Sequence, residues 1–200
     1  MCISFAVAGE SFRVAATDLG FGTDDADEWR VWRGRLTRTS TGWLVGGGEA
    51  RTVRWSLESI EDPTDTGASV SAVEAAAKKA AAQCRDPEAL WEGTHILSAD
   101  LDGVCHFRPD GDFRRLGEGS YLLMTPSDMG EREADRLEQT FARNFDPQDM
   151  EITVQLVREI LTRVAGRSDV TCPQFSVGVI ELQSEDGDDP EWHRLELEEV

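Results

Sequence analysis

Cys2 and Asp18 are the residues of this chain whose types and placement most directly offer chemistry. If Met1 is removed, Cys2 becomes the first residue and carries a thiol nucleophile and a free amine together. That amine can serve as the general base, so the nucleophile requires no separate histidine. Between the two lie Ile3 to Ala8, the turn-forming Gly9-Glu10-Ser11, and Phe12 to Thr17. Apolar, β-prone residues on both sides of turn formers are the local signature of a hairpin. A hairpin brings its ends together, so Cys2 and Asp18 are expected side by side.

Other elements must hold this pair in place. Leu19 to Glu28 is rich in Gly and Asp and reads as a loop. Trp29 to Leu36 alternates large apolar with basic residues, the period of a half-buried strand. After a turn at Thr39-Ser40-Thr41-Gly42, Trp43-Leu44-Val45 reads as a strand running into Gly46-Gly47-Gly48. Glu49 to Ile60 reads as a short helix, although Val53, Trp55, Leu57 and Ile60 settle on neither the helical nor the strand period. Glu61 to Ala68, with Pro63 and Gly67, reads as a loop. Ser71-Ala72-Val73-Glu74 is a capping box that would open an Ala-rich helix ending near Gln83. Thr94 to Ser120 is a three-strand meander with Asp102-Gly103 and Asp110-Gly111 as its turns. Two helical stripes follow: Ala134, Leu137, Phe141 and Phe145, then Ile152, Leu156 and Ile160 beside Val157, Leu161 and Val164. Asp146-Pro147 would start the second of these helices as cap and first-turn proline. Phe175 to Leu182 reads as a strand. Ser184 to Asp189 is acidic, and Trp192, Leu195 and Leu197 suit an edge strand or a subunit contact. One domain over 1–183 and an acidic tail over 184–200 are expected.

Composition narrows the function classes. Two hundred residues suit one domain or two small ones. A net charge of −19 repels phosphates, which argues against nucleic acid and against an anionic membrane surface. No apolar run approaches the roughly 20 residues that span a bilayer, and no basic segment followed by an apolar stretch marks a secretory signal. Cys2, Cys84, Cys105 and Cys172 are widely spaced without a C-x-x-C, as free thiols in a reducing cytoplasm would be. His95, His106 and His193 lack the paired spacing of zinc sites. Neither a metal nor a cofactor is expected.

The hairpin ending in Ala16-Thr17-Asp18, the run into Gly46-Gly47-Gly48 and the meander from Thr94 to Ser120 resemble the N-terminal-nucleophile hydrolase superfamily, in its proteasome β-subunit-like group of the bacterial proteasome-homologue type. The resemblance implies an α+β fold, a four-layer αββα sandwich of two antiparallel sheets between helix layers. It also implies site residues. Arg35, with Arg33 as the alternative, takes the position of a lysine that lowers the nucleophile's pKa. Arginine keeps the positive field but gives up no proton. That suits a thiol, whose free pKa of roughly 8.5 falls beside a cation. Gly47 or Gly48 takes the position of a glycine that binds substrate backbone, with N–H groups there serving the oxyanion. Asp169 would orient the amine, with Cys172-Pro173 standing where the group has Ser-Gly. Gly117-Glu118-Gly119-Ser120 would be the loop that supports the nucleophile. The implied activity is hydrolysis of an amide or peptide bond by Cys2. A catalytically inactive relative kept for assembly or binding is the alternative, raised by Arg35, Glu118 and Cys172-Pro173. A small-amide hydrolase of the cysteine-bearing branch is the third, and it lacks the arginine expected near a substrate carboxylate. The implied partners are a peptide or amide substrate and further copies of the chain, in a ring or related homo-oligomer.

Overall fold

The computed structural model describes residues 3–18, 21–23, 29–31, 35–83, 94–125, 129–165, 174–182 and 189–197. Its strands are β1 (Ser4–Ala8), β2 (Phe12–Asp18), β3 (Phe21–Thr23), β4 (Trp29–Val31), β5 (Leu36–Arg38), β6 (Gly42–Gly47), β7 (His95–Asp100), β8 (Gly103–Phe107), β9 (Phe113–Leu116), β10 (Ser120–Met124), β11 (Phe175–Glu181) and β12 (Glu191–Leu197). Its helices are α1 (Ala50–Ser59), α2 (Thr66–Ala81), α3 (Glu131–Asn144) and α4 (Met150–Ala165). The strands form two antiparallel five-stranded sheets, β10-β1-β2-β11-β12 and β5-β6-β7-β8-β9, with β3 and β4 paired apart.

Side-chain size decides which way the central hairpin faces. Successive side chains of a strand point to opposite faces. Phe5 and Val7 of β1 and Phe12, Val14 and Ala16 of β2 lie on one face, in a core shared with Leu137 and Phe141 of α3 and Val157, Ile160 and Leu161 of α4. The opposite face carries Ala6, Ala8 and Ala15, which meet Leu36, Trp43, Val45, Leu97, Ala99 and Val104 of the second sheet. Small residues there let the sheets approach closely. The far face of the second sheet places Leu44, Ile96, Cys105 and Phe107 against Val53, Leu57 and Val73 of α1 and α2. Three cores separate four layers, helices-sheet-sheet-helices, the sandwich the motifs imply.

One charge sits inside the gap between sheets. Arg13 is 1% exposed. Its guanidinium donates to the carbonyls of Asp100 (2.9 Å), Gly9 (2.6 Å), Phe12 (2.9 Å) and Leu101 (3.2 Å). It thereby ties the tip of the β1–β2 hairpin to the β7–β8 turn. Farther along, Trp43 Nε1 donates to the Val179 carbonyl at 3.2 Å, and a Cβ on Gly178 would lie 2.4 Å from the Trp43 ring.

Several local expectations are corrected. α2 starts at Thr66, not at the Ser71 capping box, because Asp65 accepts from Ala68 N–H at 3.0 Å and caps the helix earlier. Ser71 lies inside that helix and donates back to the Gly67 carbonyl. α4 starts at Met150, not at Asp146-Pro147: Asp149 accepts from Ile152 N–H at 2.9 Å, while Asp146 closes a turn onto Gln148 N–H. The stretch read as a loop after Asp18 contains β3, and the strand expected over Trp29 to Leu36 is split between β4 and β5, with Arg35 in a helical turn between.

Candidate active site

The register of β1 and β2 fixes one end of the sandwich. Ser4 pairs with Thr17 on β2 and with Met124 on β10. The Ile3 carbonyl accepts from Asp18 N–H at 3.4 Å and from Thr17 Oγ1 at 3.0 Å. Asp18 is 1% exposed and faces Phe175 of β11. The second sheet brings its Gly47–His95 end to the same place, since Thr94, His95, His106 and Met124 line one cavity.

Arg35, 3% exposed, directly precedes β5, which packs against β2 and β11. Asp18 and Arg35 are thus both buried charges at this pair of sheets, and each is engaged with neighbours. Gly47 is glycine for a steric reason: a Cβ would lie 2.4 Å from the His95 ring. Gly48 has φ +108°, a region L side chains rarely adopt, and the chain turns there into α1. Glu49 caps that helix, accepting from Thr52 N–H at 2.6 Å. The helix N-terminus, the end where partial positive charge gathers, therefore follows the two glycines directly. Cys2, Asp169 and the Cys172-Pro173 pair lie outside the described residues, as does Cys84.

The loop expected to support the nucleophile does not lie here. Ser120 pairs with Ala8, at the other end of β1 from Ser4. Four residues at roughly 3.3 Å each put it about 13 Å from the Ser4 end. Glu118 instead approaches the Arg13 guanidinium at 3.8 Å, beside the hairpin tip. The part of β10 that reaches the Asp18 end is Met124, at its other terminus.

Two groups at this end escaped the sequence reading. Ser4, Thr17 and Ser176 pair across three adjacent strands, giving a row of buried hydroxyls. Ser4 Oγ lies 3.4 Å from Thr17 Oγ1, and Ser176 Oγ is buried without a hydrogen-bond partner. His95 and His106 stand edge to face with ring centroids 6.2 Å apart. Burial, then the Arg108 and Arg114 charges, push the His106 imidazole below its ordinary pKa, against an opposing pull from Asp112 and Asp110. Both groups are assembled by strand register, which leaves no motif in the sequence. Among the described residues no group of three or more His, Cys, Asp or Glu side chains could hold a metal ion. Among them too, no helix is long and apolar enough to cross a membrane.

The two stacked sheets and their flanking helices match solved structures across nearly the whole chain. Anbu from Hyphomicrobium sp. strain MC1 superposes with a TM-score of 0.64 at 12% identity, covering 97% of this chain and 87% of that one. The fold is similar to that of Anbu. The helical assembly of the Anbu complex from Pseudomonas aeruginosa gives a TM-score of 0.67 at 12% identity over 97% and 86% of the two chains. Anbu, the ancestral beta-subunit, from Yersinia bercovieri gives 0.64 at 10% identity over 88% and 81%. No family model matches the chain, and no curated protein sequence matches it. These findings correct the assignment to the proteasome β-subunit-like hydrolases drawn from the motifs. What is shared with Anbu at 10–12% identity is the fold alone. The 117–120 loop, which carried much of that assignment, sits at the wrong end of β1 for its role.

Proposed function

We propose that this chain hydrolyses an amide or peptide bond, with Cys2 as nucleophile once Met1 has been removed. The Cys2 sulfur attacks the carbonyl while the Cys2 amine takes the thiol proton and returns it to the leaving amine. Asp18 and Arg35 set the field that favours thiolate, and Asp169 orients the amine. N–H groups at Gly47 and Gly48 receive the oxyanion. The observation that supports this reading is the bond from Asp18 N–H to the Ile3 carbonyl at 3.4 Å, which lays the start of β1 alongside the end of β2 that carries the buried Asp18. Intact mass of the purified protein tests the first requirement, loss of Met1. Hydrolysis of fluorogenic peptide amides tests the second, and activity that persists in Cys2→Ala overturns the mechanism.

A second reading is a non-catalytic subunit that serves assembly. Buried Arg35 favours it, because a guanidinium gives up no proton. A mature protein that keeps Met1 would decide for this reading. Under either one, the chain associates with further copies of itself, as the helical assembly of the Pseudomonas aeruginosa complex does. β12 is the outer strand of its sheet and leaves Leu195 40% exposed beside α4. Unpaired strand edges are ready sites for association. Size-exclusion chromatography with light scattering tests this, and a strict monomer refutes it.

A further inference from the structure

A cavity of about 390 Å³ opens at the end of the sandwich where Ser4 pairs with Met124. His95 shares its strand face with Leu97 and Ala99, and His106 shares its own with Val104, all on the side of the inter-sheet core. Arg114 pairs with His106 across β8 and β9 and lines the same cavity.

The charges divide unevenly. Arg108 is held by Asp110 at 2.9 Å and Asp112 at 3.8 Å. Thr94 Oγ1 is occupied by Glu49 N–H at 3.1 Å. Arg114 makes no ion pair among the described residues. His106 Nε2 is buried without a hydrogen-bond partner. A buried polar atom left unpaired is costly; the His106 ring lines the cavity, and a ligand that reaches its Nε2 must first move the atoms that cover it. In a chain of net charge −19, an uncommitted guanidinium over such an imidazole is a local reversal of the field.

The geometry points to a carboxylate-binding pocket, in which Arg114 and the His106 imidazole receive an acidic side chain of the substrate. A guanidinium fork matches a carboxylate with two parallel hydrogen bonds. Asp112 also lies on the cavity wall, and its negative charge favours a singly charged carboxylate over a doubly charged phosphate. As a statement about substrate this rests on the hydrolase reading; as a binding site it does not. Because β1 begins beside the cavity, the favoured substrates carry Glu or Asp next to the bond that is cut.

The test is calorimetric titration of the full chain with N-acetyl-L-glutamate α-methylamide, which carries one side-chain carboxylate, and with the neutral N-acetyl-L-glutamine α-methylamide. The expected result is at least tenfold tighter binding of the glutamate, abolished in Arg114→Gln. The exposed position of Arg114 keeps that variant folded, which its thermal melt checks. The His106 imidazole should also titrate at higher pH, by NMR, when glutamate is bound. Equal binding of the two probes, no binding of either, or a preference that survives Arg114→Gln overturns the pocket. Glutamate binding with no hydrolysis of any peptide amide refutes the hydrolase reading and leaves the pocket standing.

Discussion

Arg13→Met separates two accounts of how the hairpin tip is anchored. In one, the buried guanidinium matters as the partner of Glu118. In the other, it matters as a clamp on main-chain carbonyls. The distances favour the clamp: its contacts with carbonyls run from 2.6 to 3.2 Å, whereas Glu118 stands at 3.8 Å. Burial is the foremost influence on the Arg13 pKa and pulls it down, with Glu118 and Asp100 opposing. The fold thus bears a desolvation cost that the carbonyls must offset. Methionine fills similar space and donates nothing. The Phe12 carbonyl keeps its bond from Gly9 N–H, but the Gly9 and Leu101 carbonyls lose a charged donor. Each acceptor left unpaired costs roughly 1–3 kcal/mol, so the loss of two should cost the variant about 2–6 kcal/mol. Glu118→Gln, whose side chain is 63% exposed, should lose no more than about 0.5 kcal/mol. Urea denaturation of both variants at neutral pH reads the difference. An Arg13→Met loss below about 1 kcal/mol, or equal losses in the two variants, refutes the clamp.

Other outcomes follow from named contacts. Burial pushes the Cys105 thiol up to about 11, so iodoacetamide at pH 7.5 should label it slowly, and faster labelling of Cys2, read by peptide mass mapping, is what an activated thiolate requires. Gly178→Ala drives a Cβ to 2.4 Å from the Trp43 ring, and should cost about 1–3 kcal/mol of stability with a shifted Trp emission. Because the folded state holds His106 below its ordinary value of 6.5, the unfolded chain binds the extra proton first as pH falls. The His106 contribution is therefore intact above about 6.5 and is lost as pH drops from there through the folded pKa; His106→Gln should flatten that part of a stability-against-pH curve. Phe141→Ala removes a fully buried ring packed against Phe5, Tyr121 and Phe145, and should cost about 3–5 kcal/mol in a denaturant melt.

Local chemistry was enough for the hairpin, the meander and the two amphipathic helices. Gly9-Glu10-Ser11, Asp102-Gly103 and Asp110-Gly111 are turns whatever surrounds them, and Gly103 and Gly111 hold φ of +136° and +86°. The stripe through Leu137 and Phe141 buries itself on any apolar sheet. Asp18 is a candidate from the hairpin, and Arg35, Gly47 and Gly48 are candidates only through the resemblance. Tertiary structure decided the rest. Which cap wins, Asp65 or Ser71, depends on residues 66–70 joining a helix packed on the second sheet. Which end of β1 the 117–120 loop meets depends on β10 crossing from one sheet to the other and running antiparallel. The hydroxyl row of Ser4, Thr17 and Ser176 and the pairing of His95 with His106 exist only through register between distant strands. A one-residue slip would turn every one of those side chains to the opposite face.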